Sequence, residues 1–150
     1  MVKHNSNSAT VNMMNATQAD DSSEVIMGNL LVNDIPVKVL FDTGALHCFI
    51  SRPFASKHEL PFQDLPRQLS IVSLVKFMNT SSMVPDVSTK MGDYKFLSSP
   101  MVLGDSDIDL ILGMDWLSKH KAQLDYATRK IQLTHLFEDV ITYAPQDNTI

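Results

Sequence analysis

Val39-Leu40-Phe41-Asp42-Thr43-Gly44-Ala45 is the stretch on which the fold turns. An apolar run enters it, one carboxylate sits at its tip, and a glycine follows where the backbone can turn sharply. Working upstream, apolar residues stand at 35, 37, 39 and 41, the period of a strand. Val25 to Val32 reads as another strand, with a bulge expected at Gly28. Asn33-Asp34 between them is turn chemistry, so the pair forms a hairpin that delivers Asp42 at its end. Pro36 fits that second strand best if it lies on a sheet edge.

Downstream, His47 to Ile50 reads as a short strand. Ser51 is placed to cap a helix over Pro53 to His58, since proline is accepted in a first helical turn. Leu69 to Val75 is a strand candidate, and the polar run Lys76 to Ser82 reads as a hairpin tip. Met83 to Met91 and Tyr94 to Leu103 pair across Gly92-Asp93. Asp109 to Leu112 is a short buried strand, Met114 to His120 a short helix, and Ala122 to Asp125 with Lys130 to Leu133 a last hairpin. The sum is a mostly-β domain over residues 23–134 with two short helices, built as a closed barrel or a sandwich. Residues 1–22, rich in Asn, Ser and Thr, read as a disordered leader or linker, and the C-terminal tail 135–150 is expected to fray.

Composition narrows the function. A length of 150 residues suits one domain with tails, and 44% hydrophobic content suffices for a core. The net charge of -5 argues against nucleic-acid binding by this domain. Cys48 is the only cysteine, which leaves no intrachain disulfide and points to a reducing, intracellular and cytoplasmic setting. The N-terminus carries no long apolar run, so neither a signal peptide nor a membrane anchor is expected. Asp105, Asp107 and Asp109 look like the start of a calcium loop, but Leu110 takes the glycine position and Trp116 the place of the closing glutamate. A solvated loop fits better, and the histidines show no tight metal-ligand spacing, so no metal is expected. His47 beside Cys48 invites a thiol-protease reading, but neighbours on a strand point to opposite faces, and Cys48 reads as a small core residue.

Asp42 remains as the candidate for chemistry. Two carboxylates brought face to face cannot both ionise easily, so they share a proton. One then acts as base on a water while the other acts as acid on a carbonyl. This sequence holds one such motif, so the partner would come from a second copy related by a two-fold axis. Taken alone, Asp-Thr-Gly is also good turn chemistry, and Asp42 could be only a turn residue.

The second motif decides between these. Phe41-Asp42-Thr43-Gly44-Ala45 with His47 and Phe49-Ile50-Ser51, followed by Ile111-Leu112-Gly113-Met114-Asp115-Trp116-Leu117, resembles the retropepsin-like aspartic proteases. The resemblance is nearest to the protease domain of plant gypsy-type LTR retrotransposon polyproteins and covers roughly residues 24–134. It implies a retropepsin-like protomer with a flap hairpin, acting as a homodimeric endopeptidase on extended polypeptide, with no cofactor. By position it makes Asp42 catalytic, puts Thr43 in the grip between two active-site loops, and lines the substrate cleft with Gly44 and Ala45. Ile111, Leu112 and Gly113 would support that loop from beneath, and the flap would lie around Phe77, Met78, Asn79 and Thr80. Trp116 reads as a packing anchor.

Leu46 stands where the family usually has a hydroxyl residue, and the expected flap tip has no glycine. These departures motivate an alternative: a catalytically inactive retropepsin-fold module for dimerisation or protein binding. A ubiquitin-pathway shuttle protease domain, which shares the same core, is a weaker third reading.

Overall fold

The computed structural model describes residues 10–13, 25–73, 77–104, 106–135 and 139–144. In chain order its elements are β1 (Thr10–Met13), β2 (Val25–Val32), β3 (Ile35–Asp42), β4 (Phe49–Ser51), α1 (Arg52–Lys57), β5 (Gln63–Ser73) and β6 (Phe77–Met83). There follow β7 (Val87–Met91), β8 (Tyr94–Ser98), β9 (Met101–Leu103), β10 (Leu110–Leu112), α2 (Met114–Lys119), β11 (Gln123–Asp125), β12 (Lys130–Thr134) and β13 (Val140–Tyr143).

The hairpin that leads to Asp42 forms as its sequence dictates. Asn33 and Asp34 take left-handed φ values of 50° and 66°, the backbone that a two-residue hairpin turn requires. β2 and β3 then pair without interruption from Val32↔Ile35 to Val25↔Asp42. The bulge expected at Gly28 is therefore absent from this pair, where Gly28 lies opposite Val39. Pro36 is not on a sheet edge, since β3 lies between β2 and β10. It is tolerated because β10 pairs only with Val39 to Phe41, beyond the proline. At α1 the Ser51 hydroxyl accepts a 3.4 Å bond from the Phe54 amide, and Pro53 sits in the first turn.

The larger sheet has ten strands in the order β1-β5-β6-β9-β4-β10-β3-β2-β7-β8, and β11-β12-β13 form a smaller one. The arrangement is sandwich-like and the large sheet stays open, with β1 and β8 at its ends, so the barrel form of the expected fold is not adopted. The central strands are buried on both faces. Phe41, Ile50, Val102, Leu110 and Leu112 point into one core together with Trp116, Ile131 and Leu133. Leu40, Phe49, Met101, Leu103 and Ile111 point into a second. Short apolar runs such as Leu110-Ile111-Leu112 fit this two-sided burial, which an alternating strand would not.

Two parts of the chain differ from the sequence expectation. Thr10–Met13, read as part of a leader, is a strand parallel to β5, with Thr10 opposite Ser70. Val140–Tyr143, read as part of a fraying tail, pairs along its whole length with β12. Its Tyr143 ring lies 6.2 Å from that of Phe41, and the Tyr143 hydroxyl donates a 3.0 Å bond to the Asn29 carbonyl. Burial of an aromatic side chain outweighs the entropy of ordering a short strand.

Beneath β3, Trp116 is 2% exposed and packs 6.1 Å from Phe41, 5.7 Å from Phe96 and 4.8 Å from His120. Burial, with help from Lys119 and His135, lowers the His120 pKa from 6.5 to about 4. A proton that the unfolded chain binds more readily than the native one makes stability fall as pH drops. The neutral His120 therefore stabilises the fold fully above pH 6.5, and its contribution is lost as pH falls towards 4. Urea denaturation across that window should show falling stability in the wild type and a flatter profile in His120→Phe.

Candidate active site

β10 runs parallel to β3 on one side, with Leu112 opposite Phe41, and antiparallel to β4 on the other, with Ile111 opposite Phe49. The segment 43–48 that joins β3 to β4 must therefore pass around the C-terminal end of β10. Asp42, the last residue of β3, is fully buried in the single chain. Its Oδ1 accepts a 2.7 Å bond from the Gly44 amide, and its carbonyl accepts a 3.2 Å bond from the Ala45 amide. Thr43 is half-buried and Gly44 exposed, so the tip of the loop faces outward. Gly44 packs closely here: a Cβ would lie 3.1 Å from the Asp42 carboxylate, which would have to give by a few tenths of an ångström.

The second motif closes on this loop from below. The Met114 amide donates to the Ala45 carbonyl at 2.7 Å and the Asp115 amide to the Leu46 carbonyl at 3.1 Å. Gly113 lies against the same backbone. A Cβ there would collide with the His47 carbonyl and stand 2.7 Å from that of Ala45. Backbone carbonyls cannot rotate away as a flexible side chain can, so glycine alone fits.

Asp115 adds a side-chain tie that the sequence reading did not single out. Its Oδ1 accepts bonds from the Cys48 thiol at 3.1 Å and the Trp116 amide at 2.6 Å. Its Oδ2 accepts from the Cys48 amide at 3.4 Å and lies 3.6 Å from His47 Nδ1. Burial works to raise the Asp115 pKa, but the approach of His47, Cys48 and Trp116 outweighs it and holds the carboxyl below the usual range. Burial pushes the Cys48 thiol far up, and the Asp115 charge adds to this, so Cys48 stays a protonated donor. That excludes the thiolate a cysteine protease needs. The expectation that His47 and Cys48 face apart fails in one respect, because both reach Asp115. No local signal in the sequence marks this tie, since it arises from where β10 threads between β3 and β4.

The structure brings Asp42, Thr43, Gly44 and Ala45 together with Ile111, Leu112 and Gly113. Ala45, expected in the cleft, is buried in the second core of the single chain. Phe77, Met78, Asn79 and Thr80, expected at the flap tip, lie in β6 and pair with Val72, Ile71, Ser70 and Leu69 of β5. The connection 74–76 lies outside the described residues, as does Asp105 of the loop 104–107. Asp109 is engaged in the fold, with its Oδ2 accepting from the Lys38 amide at 3.1 Å.

A fold with a strand threaded beneath an Asp-Thr-Gly loop defines the retropepsin-like class. The chain matches the family model for retroviral aspartyl protease over residues 6–139 and belongs to that family. Over 97 residues it is 33% identical to the DNA damage-inducible protein 1 of Candida glabrata, covering 65% of this chain. It spans only 22% of that relative's length. Among solved structures it is similar to the retroviral protease-like domain of Ddi1 from Leishmania major, with a TM-score of 0.57 at 16% identity, covering 82% of this chain and 97% of that one. It is also similar to the EIAV protease complexed with the inhibitor HBY-793, with a TM-score of 0.50 at 25% identity, covering 66% of this chain and 90% of that one.

Because the neighbours of Gly113 are backbone atoms, Gly113→Ala should destabilise the fold by about 3 kcal/mol or more, the upper end of overpacking costs. A lower urea midpoint with an unchanged slope would register it.

Proposed function

We propose that this chain is an aspartic endopeptidase that works as a homodimer, with Asp42 of each copy forming a carboxylate pair. The observation that carries the reading is the Asp42 loop closed from below by β10 and Gly113. Thr43 and Gly44 face outward at the loop tip, where a second copy would meet them. The pair holds one proton between two carboxylates, so one can take a proton from water while the other gives one to the scissile carbonyl. Retaining that proton favours mildly acidic pH. Thr43 would join the grip between the loops, and Gly44 and Ala45 would border the cleft. Ile111, Leu112 and Gly113 would hold the loop, and the β5–β6 hairpin, including Phe77 to Thr80, would close over an extended peptide. The motif pair further suggests a retrotransposon polyprotein as both source and substrate.

A second reading, a non-catalytic dimerisation or protein-binding module, is favoured by the full burial of Asp42 in the single chain. On the catalytic reading, association must open that carboxylate to water. Labelled, unfolded casein at mildly acidic pH separates the two. The catalytic reading expects cleavage that a pepstatin-type inhibitor blocks, that Asp42→Asn removes, and whose specific activity falls on dilution. Cleavage surviving Asp42→Asn would sink the assignment, and a rate per chain independent of concentration would sink the dimer. No cleavage at a concentration where a dimer is populated would leave the module.

A further inference from the structure

The geometry points to Asp115 as a positioning residue that fixes the active-site loop through His47 and Cys48. This rests on the proposed catalytic role of Asp42. The loop from Asp42 to Cys48 is held at successive points. Its first half closes on itself through Gly44 and Ala45. Its second half hangs on the start of α2: Ala45 and Leu46 through their carbonyls, Cys48 through its amide and thiol, and His47 through its ring. Four of these contacts end on Asp115, three on its carboxylate and one on its amide.

The division of labour between the two oxygens makes a carboxylate specifically necessary. Oδ1 serves Cys48 Sγ and the Trp116 amide, while Oδ2 serves the Cys48 amide and His47 Nδ1. All the partners are donors or can be, and a carboxylate offers acceptors on both sides. An asparagine of the same shape would turn an NH2 towards one pair of donors. The carboxyl is also held below the usual range, so it stays ionised at the mildly acidic pH the proposed reaction favours. Nothing in Asp115 needs to touch substrate. Its effect on rate runs through where the loop holds Asp42, and small displacements of a reacting group cost rate steeply.

The test compares Asp115→Asn, Cys48→Ala and Cys48→Ser with the wild type and with Asp42→Asn. Labelled casein is the substrate, and the Gly44 amide signal is followed by two-dimensional NMR. Asp115→Asn should lower kcat on the order of tenfold to a hundredfold with KM within about twofold, and should move the Gly44 signal. Cys48→Ala should shift both in the same direction, and Cys48→Ser, which restores a donor, should return them towards wild type. Should Asp115→Asn fail to fold, the Cys48 pair carries the comparison. Wild-type kinetics and an unmoved Gly44 signal in Asp115→Asn would overturn the inference while leaving the Asp42 assignment intact. A Cys48→Ser variant no better than Cys48→Ala would overturn it too. If cleavage survives Asp42→Asn, the catalytic reading fails instead, and the Gly44 signal alone decides whether Asp115 sets the loop.

Discussion

The structure depends on a three-residue strand, β10, held between two strands joined by one loop. Leu110, Ile111 and Leu112 pair with β3 on one side, and Leu110 and Ile111 with β4 on the other. The chain must then leave β10 directly beneath the loop, where Gly113 lies against the carbonyls of Ala45 and His47. The absence of one Cβ lets two backbones approach closely enough for the Met114 and Asp115 amides to reach Ala45 and Leu46. Without that approach, these amides at the start of α2 would be left without those acceptors, and an unmet buried donor is costly. The same threading puts alternate residues of β3, β4 and β10 into two cores, so packing on both faces fixes the register that the hydrogen bonds prescribe.

Carboxylates do much of the local holding, each by accepting from backbone amides. Asp42 takes Gly44, Asp109 takes Lys38, and Asp115 takes Cys48 and Trp116. Asp115 is held below the usual carboxylate range, so its bonds keep the charge-assisted form, stronger than a neutral one. The histidine side of the molecule responds to acid as well. His120, packed on Phe96 and Trp116, resists protonation and so weakens the fold as pH falls. The proposed chemistry needs a proton retained on the Asp42 pair, while the scaffold around it is served by an ionised Asp115 and a neutral His120. A working pH window for such an enzyme would be bounded by stability below and by loss of the shared proton above.

Much of this was legible in the residues because local chemistry and tertiary demand agree there. Asn33-Asp34 is a turn by its own backbone preference, Ser51 caps α1 before Pro53, and Gly92 turns β7 into β8 with φ of 60°. The paired motifs carried the class, and the second contains the glycine that its backbone contact requires. What escaped was non-local. Tyr143 gains its place from Phe41, a residue about a hundred positions away, so β13 looked like loose tail. The polar run from Lys76 looked like a turn, yet Phe77 to Thr80 pair with β5, since period and polarity do not tell an edge-ward hairpin strand from its tip. Asp115 stood inside a quoted motif without a role because its partners are set by threading, which no spacing reveals.

The same distinction separates family from activity. Membership follows the parts of the sequence that serve the fold, such as Gly113, whose place against the carbonyls of Ala45 and His47 leaves no room for a side chain. Catalysis asks more, namely that Asp42, closed off in the single chain, reach water and a second carboxylate. On the proposed catalytic reading those demands would fall where a second copy meets the loop tip, and folding does not select for them. A chain can therefore keep every contact that defines this fold while its activity varies independently. The loop's hold on α2 is where the two sets of demands meet. Its Gly113 contact belongs to folding, whereas its Asp115 contacts tune where a folded loop rests, and rate is far more sensitive than stability to such displacement.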